Sequence, residues 1–238
     1  DSPNDPNLSN QWALPHIGGH LAHDFETGSG QIDIAIVDDA IDINHVDLND
    51  NIQTGWDVAD NDSDPSPQIG SGSSYEHGTH VAGIAAAETN NGVGVASIGR
   101  NVDIIAVKAT NSAQYITHAY AGVTWAAQNG AEIINCSWGS SSFSSTNQIV
   151  IQDAWSNFNC IIVTSAGNEG NNGNPIMYPG GYNNVIAVAN SNQSDDRHSS
   201  SSYGTWVDIT APGYSIYSTE PWNSYGNKTG TSMASPLV

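Results

Sequence analysis

The chain has 238 residues, a length that suits one large domain better than two small ones. It carries 24 acidic residues against 4 basic ones, and this formal charge of −20 repels phosphate, which excludes nucleic acids and anionic membranes as natural partners. Its apolar runs are shorter than the roughly 20 residues of a membrane helix. Two cysteines do not make a disulfide scaffold.

Short β-branched runs alternate with helical patterns. Several runs are apolar almost throughout, as in parallel strands covered on both faces. The predicted strands are Ile32–Val37, Val102–Lys108, Ala131–Cys136, Cys160–Thr164, Val185–Ala189 and Val207–Thr210. Helical spacing predicts helices over residues 77–87, 116–127 and 149–158. The alternation predicts an α/β fold: a doubly wound, mostly parallel sheet with helices on both faces, in one domain over residues 1–238.

Polar residues follow three of the predicted strands. Asp38 comes after the first, the segment 137–139 after the third, and the segment 166–168 after the fourth. Ligands of such sheets bind outside the carboxyl ends of the strands. We therefore expect these residues to meet at one edge.

Three segments have the residue types of nucleophilic catalysis. They read Ile-Val-Asp-Asp-Ala at 36–40, His-Gly-Thr-His-Val-Ala-Gly at 77–83 and Gly-Thr-Ser-Met-Ala-Ser-Pro at 230–236. A serine needs a base to take its proton, and the base needs a carboxylate to orient it. The order Asp, His, Ser in these contexts resembles the subtilisin-like serine protease family, as does Ser-Ala-Gly-Asn at 165–168.

The resemblance has features of two branches of that family. Pro-Asn-Asp-Pro at 3–6 and the pair Asn90-Asn91 are similar to the thermitase branch. The pair Asp38-Asp39, the acidic loop over residues 57–65 and Cys-Ser-Trp-Gly at 136–139 are similar to the kexin/furin branch. The short stretch Ala109–Tyr115 also has the kexin-type length.

The resemblance implies a role for each catalytic position. Ser232 is the expected nucleophile and His77 the general base. Asp38 orients His77, and Asn168 donates its side-chain amide to the oxyanion beside the backbone N–H of Ser232. Taken singly, such a serine is an ordinary helix cap and such an aspartate an ordinary turn residue. Their joint occurrence favours catalysis, whereas His80 is interpreted as a packed structural residue.

The resemblance also implies that substrate binds as an extended strand, with a primary pocket between two walls. The residues predicted to contact substrate are Ser137, Trp138, Gly139, Ala166, Gly167, Asp39 and Glu169. The two acidic members of this set favour basic side chains before the cut. For Glu169 the alternative is a solvated loop residue.

Two calcium sites are expected, because carboxylate and carbonyl oxygens are the ligands of that ion. The family motif places the first on the side chains of Asp5, Asp47 and Asn91 with carbonyls of Thr89, Val93 and Val95. The second is suggested by Asp57, Asp60, Asp62 and Asp64, four like charges in eight residues that repel one another without a cation. A solvated acidic loop is the alternative.

The two cysteines are predicted to be buried free thiols. Cys136 lies near the carboxyl end of its strand and Cys160 near the start of the neighbouring one. At about 3.3 Å per residue this offset puts them beyond the roughly 7 Å reach of a disulfide.

These observations predict a secreted (extracellular or periplasmic), calcium-stabilised serine endopeptidase that acts on polypeptides. A cleaved propeptide and a monomeric state are expected. Two alternatives stay open: a subtilisin-like peptide ligase or macrocyclase, and an inactive calcium-binding module. The chain ends six residues after Ser232, at the start of a helix that continues in the family, so the sequence is interpreted as truncated there.

Overall fold

The computed structural model describes residues 2–68, 70, 74–112 and 115–238. Within these ranges the strands are β1 (Asp33–Asp38), β2 (Ile52–Asp57), β3 (Asp103–Lys108), β4 (Ile133–Cys136), β5 (Ile161–Ser165), β6 (Ile186–Ser191), β7 (Ile209–Pro212), β8 (Ile216–Glu220) and β9 (Ser224–Lys228). The α-helices are α1 (Ala13–His16), α2 (Gly19–Ala22), α3 (His77–Ala86), α4 (Ala119–Gln128), α5 (Ser145–Asn157) and α6 (Thr231–Ala234). Short 3₁₀ turns lie at Leu8–Asn10, Asn49–Asn51 and Ser235–Leu237.

Strands β1 to β7 form one parallel sheet in the order β2-β3-β1-β4-β5-β6-β7. The six predicted strands are each found within a few residues of their expected bounds. The chain crosses from one side of β1 to the other between β3 and β4, so the carboxyl end of β1 is the switch point at which such folds bind ligands. Asp38 stands at that end.

The central strands bury alternate residues on opposite faces. Ile36 and Ala106 belong to a core that contains Val81 of α3, whereas Val37 and Val107 belong to a second core that contains helices α4 and α5. The sheet therefore has helices on both faces, as predicted. All of these β1 and β3 residues are fully buried.

Sequence patterns missed β2 and the antiparallel hairpin of β8 and β9. The second strand of that hairpin reads Ser-Tyr-Gly-Asn-Lys, which has no apolar alternation to indicate a strand. The hairpin holds α3 through side-chain hydroxyls: Ser218 Oγ donates to the carbonyl of His80 at 2.8 Å, and Thr219 Oγ1 to that of Thr79 at 2.7 Å. It thus fixes the helix that carries His77.

Both cysteines are buried and free, which confirms the prediction. In the β4–β5 ladder Cys136 stands opposite Thr164, four residues beyond Cys160. Burial raises the pKa of both thiols. No helix in the described ranges is long and apolar enough to cross a membrane.

Candidate active site

Asp38 and His77 meet at the carboxyl edge of the sheet. Asp38 ends β1 with its side chain 1% exposed, and His77 begins α3 with 33% of its side chain exposed. Nδ1 of His77 lies 2.7 Å from Oδ1 of Asp38. An ionised carboxylate only accepts hydrogen bonds, so the proton is on Nδ1 and Nε2 is left as the basic nitrogen.

The pKa of His77 reflects opposing influences. Burial lowers the pKa, but the negative charge of Asp38, its hydrogen bond and the charge of Asp39 outweigh burial and raise the pKa to about 9. Lys228 acts in the lowering direction. His77 is thus a stronger base than an ordinary histidine, and becomes neutral only in alkaline solution.

Ser232 is the second residue of α6. Its Oγ donates to the backbone carbonyl of Ser137 at 2.9 Å. Ser137 lines one cavity of about 240 Å³ together with Asp38 and His77, so Ser232 is linked to this cavity through the carbonyl that it bonds. In this conformation the hydroxyl of Ser232 bonds the carbonyl of Ser137 and not the imidazole of His77. Such contacts often form only in the substrate complex.

The amide of Asn168 is oriented by Thr231, which is 63 residues away in sequence. Oδ1 of Asn168 accepts from the backbone N–H of Thr231 at 3.0 Å and is 3.2 Å from the hydroxyl of the same residue. A backbone N–H can only donate, so the oxygen of the amide is assigned and Nδ2 is free to donate elsewhere. Asn168 is exposed, and Nδ2 can reach a ligand.

One predicted wall of the substrate pocket follows β4. The side chain of Ser137 is turned inward, where its Oγ donates to the carbonyl of Ser232 at 2.9 Å and lies 2.8 Å from Oγ of Ser235. Trp138 is held by a 2.8 Å hydrogen bond from Nε1 to the carbonyl of Val37. Gly139 is exposed. The segment therefore offers its backbone and the indole to a ligand, rather than the serine side chain.

Sequence reasoning missed Met177. The other predicted wall, Ala166 and Gly167, follows β5, and a side chain at Gly167 would collide with Cγ of Met177. A side chain at Gly139 would come within 3.7 Å of Cβ of the same methionine. Met177 thus packs against Gly167 and lies near Gly139. A single methionine outside any motif gave no signal in the sequence.

The two predicted acceptors of basic side chains already have partners. Both carboxylate oxygens of Asp39 accept backbone N–H groups, including those of His77 and Gly78. Oε2 of Glu169 accepts from Nδ2 of Asn172 at 2.8 Å. Binding of a basic substrate side chain by either residue stays a prediction. The stretch Ala109–Tyr115 includes residues 113 and 114, which lie outside the described residues.

The predicted residues of the first calcium site come together around the loop 89–95. Asp5 and Asp47 are buried, and Asp5 accepts the N–H groups of Asn90 and Asn91 at 2.8 and 3.2 Å. Asp47 accepts from the N–H of Val95 at 2.8 Å. Burial raises the pKa of Asp47 to about 7. Within the part of the chain that the structure describes, neither carboxylate has an ion pair with Lys or Arg.

Two further observations bear on whether calcium fits there. A side chain at Gly94 would collide with Oδ2 of Asp47 and Oη of Tyr225, so the loop approaches the carboxylate as closely as glycine allows. Asn91 turns its Nδ2 toward Oδ1 of Asp47 at 3.2 Å, while its Oδ1 accepts from the N–H of Val93. Its amide would have to turn over to ligate a cation. The carboxylates of Asp5 and Asp47, which are buried and have no Lys or Arg partner among the described residues, fit calcium. The amide of Asn91 fits after that rotation.

At the second predicted calcium site, a lysine ammonium lies next to two of the four aspartates. Lys108, at the end of β3, is 4% exposed and places Nζ 2.5 Å from Oδ2 of Asp57 and 3.8 Å from Oδ2 of Asp60. Asp62 and Asp64 instead accept backbone N–H groups two residues ahead. Lys108 therefore offsets part of the repulsion that predicted a calcium ion, at Asp57 and Asp60. Among the described residues no three His, Cys, Asp or Glu side chains are grouped to hold a metal.

Comparison with known proteins agrees with the geometry. The subtilase family profile matches residues 29–238. Over its whole length the chain is 44% identical to thermitase from Thermoactinomyces vulgaris, 82% of which it covers. The chain belongs to the subtilase family. As a subtilase it is a serine endopeptidase by descent, and the predicted likeness to thermitase is confirmed.

Other relatives of this subtilase are longer. It is 42% identical to the thermophilic serine proteinase of Bacillus sp. (strain AK1) and 40% identical to subtilisin amylosacchariticus from Bacillus subtilis subsp. amylosacchariticus. It spans 58% and 54% of their lengths, and 100% and 89% of the chain is matched. A solved structure described as proteases from Pseudoalteromonas arctica PAMC 21717 superposes with a TM-score of 0.85 at 33% identity, covering 100% of this chain and 84% of that one.

Proposed function

We propose that this subtilase hydrolyses internal peptide bonds of polypeptides through an acyl-enzyme on Ser232. The observation that carries the proposal is the 2.7 Å contact between Nδ1 of His77 and Oδ1 of Asp38. Both residues line a cavity together with Ser137, and the carbonyl of Ser137 accepts a hydrogen bond from the hydroxyl of Ser232. In serine hydrolases a carboxylate orients an imidazole, and the imidazole takes the proton of the serine hydroxyl.

The first half of the reaction forms the acyl-enzyme. Nε2 of His77 takes the proton of Ser232 as Oγ attacks the carbonyl carbon, and Asp38 stabilises the resulting imidazolium. Nδ2 of Asn168 and the backbone N–H of Ser232 donate to the oxyanion. His77 then gives the proton to the departing amine, which breaks the peptide bond.

In the second half water replaces the amine. His77 takes a proton from water, the hydroxide attacks the acyl carbon, and the proton returns to Oγ of Ser232 as the acid product leaves. The backbone along 137–139 is exposed at Gly139 and is the edge on which we place the substrate strand. Met177 limits the side chain that enters between the two walls.

We further propose that one calcium ion binds at Asp5, Asp47 and Asn91, with carbonyls of the loop 89–95. Support comes from two buried carboxylates without a basic partner and from the close approach of Gly94. Calcium there stabilises the folded chain and takes no part in bond cleavage. No comparable support exists at Asp57, where Lys108 supplies the positive charge.

The remaining expectations are proposals about the whole protein. We expect a secreted, monomeric enzyme that is released from a propeptide and has neither nucleic acid nor membrane as a partner. Its net charge of −20 supports the last point, since phosphate-rich surfaces repel it. A preference for basic side chains before the cut is kept as a prediction for substrate profiling.

Cleavage of a peptide library tests this function. We expect internal cuts by the wild-type chain and none by Ser232→Ala, with mass spectrometry identifying the products. A library member supplied with a second peptide as amine acceptor separates hydrolysis from ligation. New peptide bonds in place of free carboxylates would identify a ligase, and equal cutting by Ser232→Ala would remove this serine from the mechanism.

A further inference from the structure

The N-terminus of α3 is capped by a residue from another segment. Glu76 directly precedes the helix but makes no capping hydrogen bond; its carboxylate lies 2.5 Å from Nζ of Lys228. Asp39 takes the place of a cap. Its Oδ2 accepts from the N–H of His77 at 3.1 Å and its Oδ1 from that of Gly78 at 2.7 Å. These N–H groups begin the helix and have no partner inside it.

Asp39 also closes the turn that follows β1. Its Oδ1 accepts from the N–H of Ala40 at 2.6 Å, so one carboxylate ties this turn to the first turn of α3. The two segments are in close contact, because a side chain at Gly78 would come within 2.5 Å of the carbonyl oxygen of Ala40 and 2.8 Å of Cβ of Asp38. A small displacement of Asp39 would therefore move the backbone of His77.

The neighbouring aspartates hold different parts of the same histidine. Asp38 bonds the imidazole at 2.7 Å, whereas Asp39 bonds the backbone N–H. With three backbone donors on its two oxygens, Asp39 is fixed in place and only half-buried. Burial and the charge of Asp38 raise the pKa of Asp39 to about 6, so its carboxylate is ionised at the alkaline pH at which His77 becomes neutral.

Several charged groups act on the imidazole of His77. Asp38 and Asp39 at the end of β1 raise its pKa, and Lys228 of β9 lowers it. Glu76 partly neutralises Lys228 through their ion pair, as does Glu220 at 3.4 Å. His80, one turn along α3, is buried and its pKa is lowered to about 3 by desolvation, so it is neutral at working pH.

We propose that Asp39 is a positioning residue that anchors the catalytic helix and supplies a second negative charge beside the imidazole. This role rests on the proposed function of His77 as the general base. It differs from the role expected from the kexin/furin likeness, in which the same carboxylate receives a basic substrate side chain. Three bonded backbone N–H groups leave Asp39 little capacity for that task.

The pH dependence of kcat/KM separates the two roles. Activity needs neutral His77, so it rises with pH through the pKa of that residue, which is raised to about 9. Asp39→Asn removes the charge and keeps the shape, and we expect the midpoint of this rise to fall by roughly one pH unit. Asp196→Asn is the control, since Asp196 is an exposed carboxylate in the turn after β6. It should leave the midpoint unchanged.

Lys228→Gln tests whether nearby charges set the pKa of His77, because Lys228 lowers this pKa whereas Asp39 raises it. It removes a positive charge and frees Glu76, so the midpoint should move to higher pH. Peptides with Lys or Ala two residues before the cut complete the design: the positioning role predicts the same Lys-to-Ala ratio of kcat/KM in wild type and Asp39→Asn. Circular dichroism of each variant establishes that it is folded.

The results have separate meanings. A midpoint in Asp39→Asn equal to that of the control, or a lost Lys preference with an unchanged midpoint, would overturn the proposal. If Asp39→Asn fails to fold, an unshifted midpoint in Lys228→Gln overturns the charge-based part. An inactive wild type, or full activity in Ser232→Ala, would instead contradict the proposed function.

Discussion

Two buried aspartates at the carboxyl edge of the sheet have similar positions and different partners. In the parallel ladders, Asp38 of β1 and Asp57 of β2 both stand opposite Lys108 of β3, and each side chain is 1% exposed. Lys108 extends to Asp57, with 2.5 Å between Nζ and Oδ2. Asp38 is left to His77.

The difference shows that the partner decides what a buried carboxylate can do. The ammonium of Lys108 only donates hydrogen bonds and cannot accept a proton from a substrate, so its pair with Asp57 is structural. An imidazole can release its proton, so the pair with Asp38 can take part in acid–base chemistry. Removing His77 should therefore reduce activity, whereas removing Lys108 should reduce stability.

The largest expected effect is on activity, from His77→Ala. Loss of the base should reduce kcat by about 10⁶-fold, as for a triad residue. A third of the His77 side chain faces solvent, so water can replace the ring beside Asp38 and the chain should still unfold cooperatively. Steady-state kinetics and thermal unfolding measure the two. Combining His77→Ala with Ser232→Ala should lower kcat little further; additive losses would show that the two residues act separately.

The second effect is on stability, from Lys108→Met. This change leaves the charge of Asp57 buried and unpaired, which costs about 3–5 kcal/mol of unfolding free energy. Urea denaturation measures it. Lys108→Met combined with Asp57→Asn should recover part of the loss, because the amide oxygen can still accept the N–H groups of Ala59 and Asp60. Wild-type stability in the single variant would show that the pair is not structural.

Calcium removal should distinguish the predicted site at Asp5 and Asp47 from the acidic loop that contains Asp57 and Asp60. Without a cation the carboxylates at Asp5 and Asp47 are unpaired, so a chelator should lower the unfolding free energy by about 3 kcal/mol relative to calcium at a hundred times its Kd. Asp47→Asn should remove this difference. Asp60→Asn, in the acidic loop that Lys108 contacts, should keep this difference. The reverse result would move the calcium site to the acidic loop.

The smallest effect concerns substrate choice and involves neither ion pair. Met177→Gly enlarges the space between the two walls, so kcat/KM for peptides with a large side chain before the cut should rise about tenfold relative to those with Ala. Met177→Ala should give an intermediate change. Parallel assays on the two peptides measure it. An unchanged ratio in both variants would place Met177 outside the substrate pocket.

The fold could be predicted from the sequence where a strand is buried by apolar side chains. Continuous apolar runs indicated the buried strands, as in Ile-Ala-Ile-Val at 34–37, and the position of Asp38 followed from parallel topology. The hairpin of β8 and β9 was not predictable, since Ser218 and Thr219 are buried by hydrogen bonds to α3 rather than by apolar packing.

The composition of the candidate site was predictable, and its charge balance was not. The motifs predicted Asp38 and His77 as partners, and the structure pairs them; the role of Ser232 stays a prediction. Four aspartates near Asp57 predicted the need for a cation, but Lys108 is 51 residues away in sequence and only the strand register places it there. The contact of Asp39 with the helix of His77 is also between segments distant in sequence, 38 and 39 residues apart.

Fluorophosphonate labelling followed by peptide mapping tests the central claim most directly, because the reagent forms a stable adduct with a serine only when a neighbouring base activates it. We predict one adduct, on the peptide that contains Ser232, in the wild-type chain and in Asp196→Asn. His77→Ala should show none under the same conditions. Equal labelling of Ser232 with and without His77, or an adduct on another serine, would contradict the account.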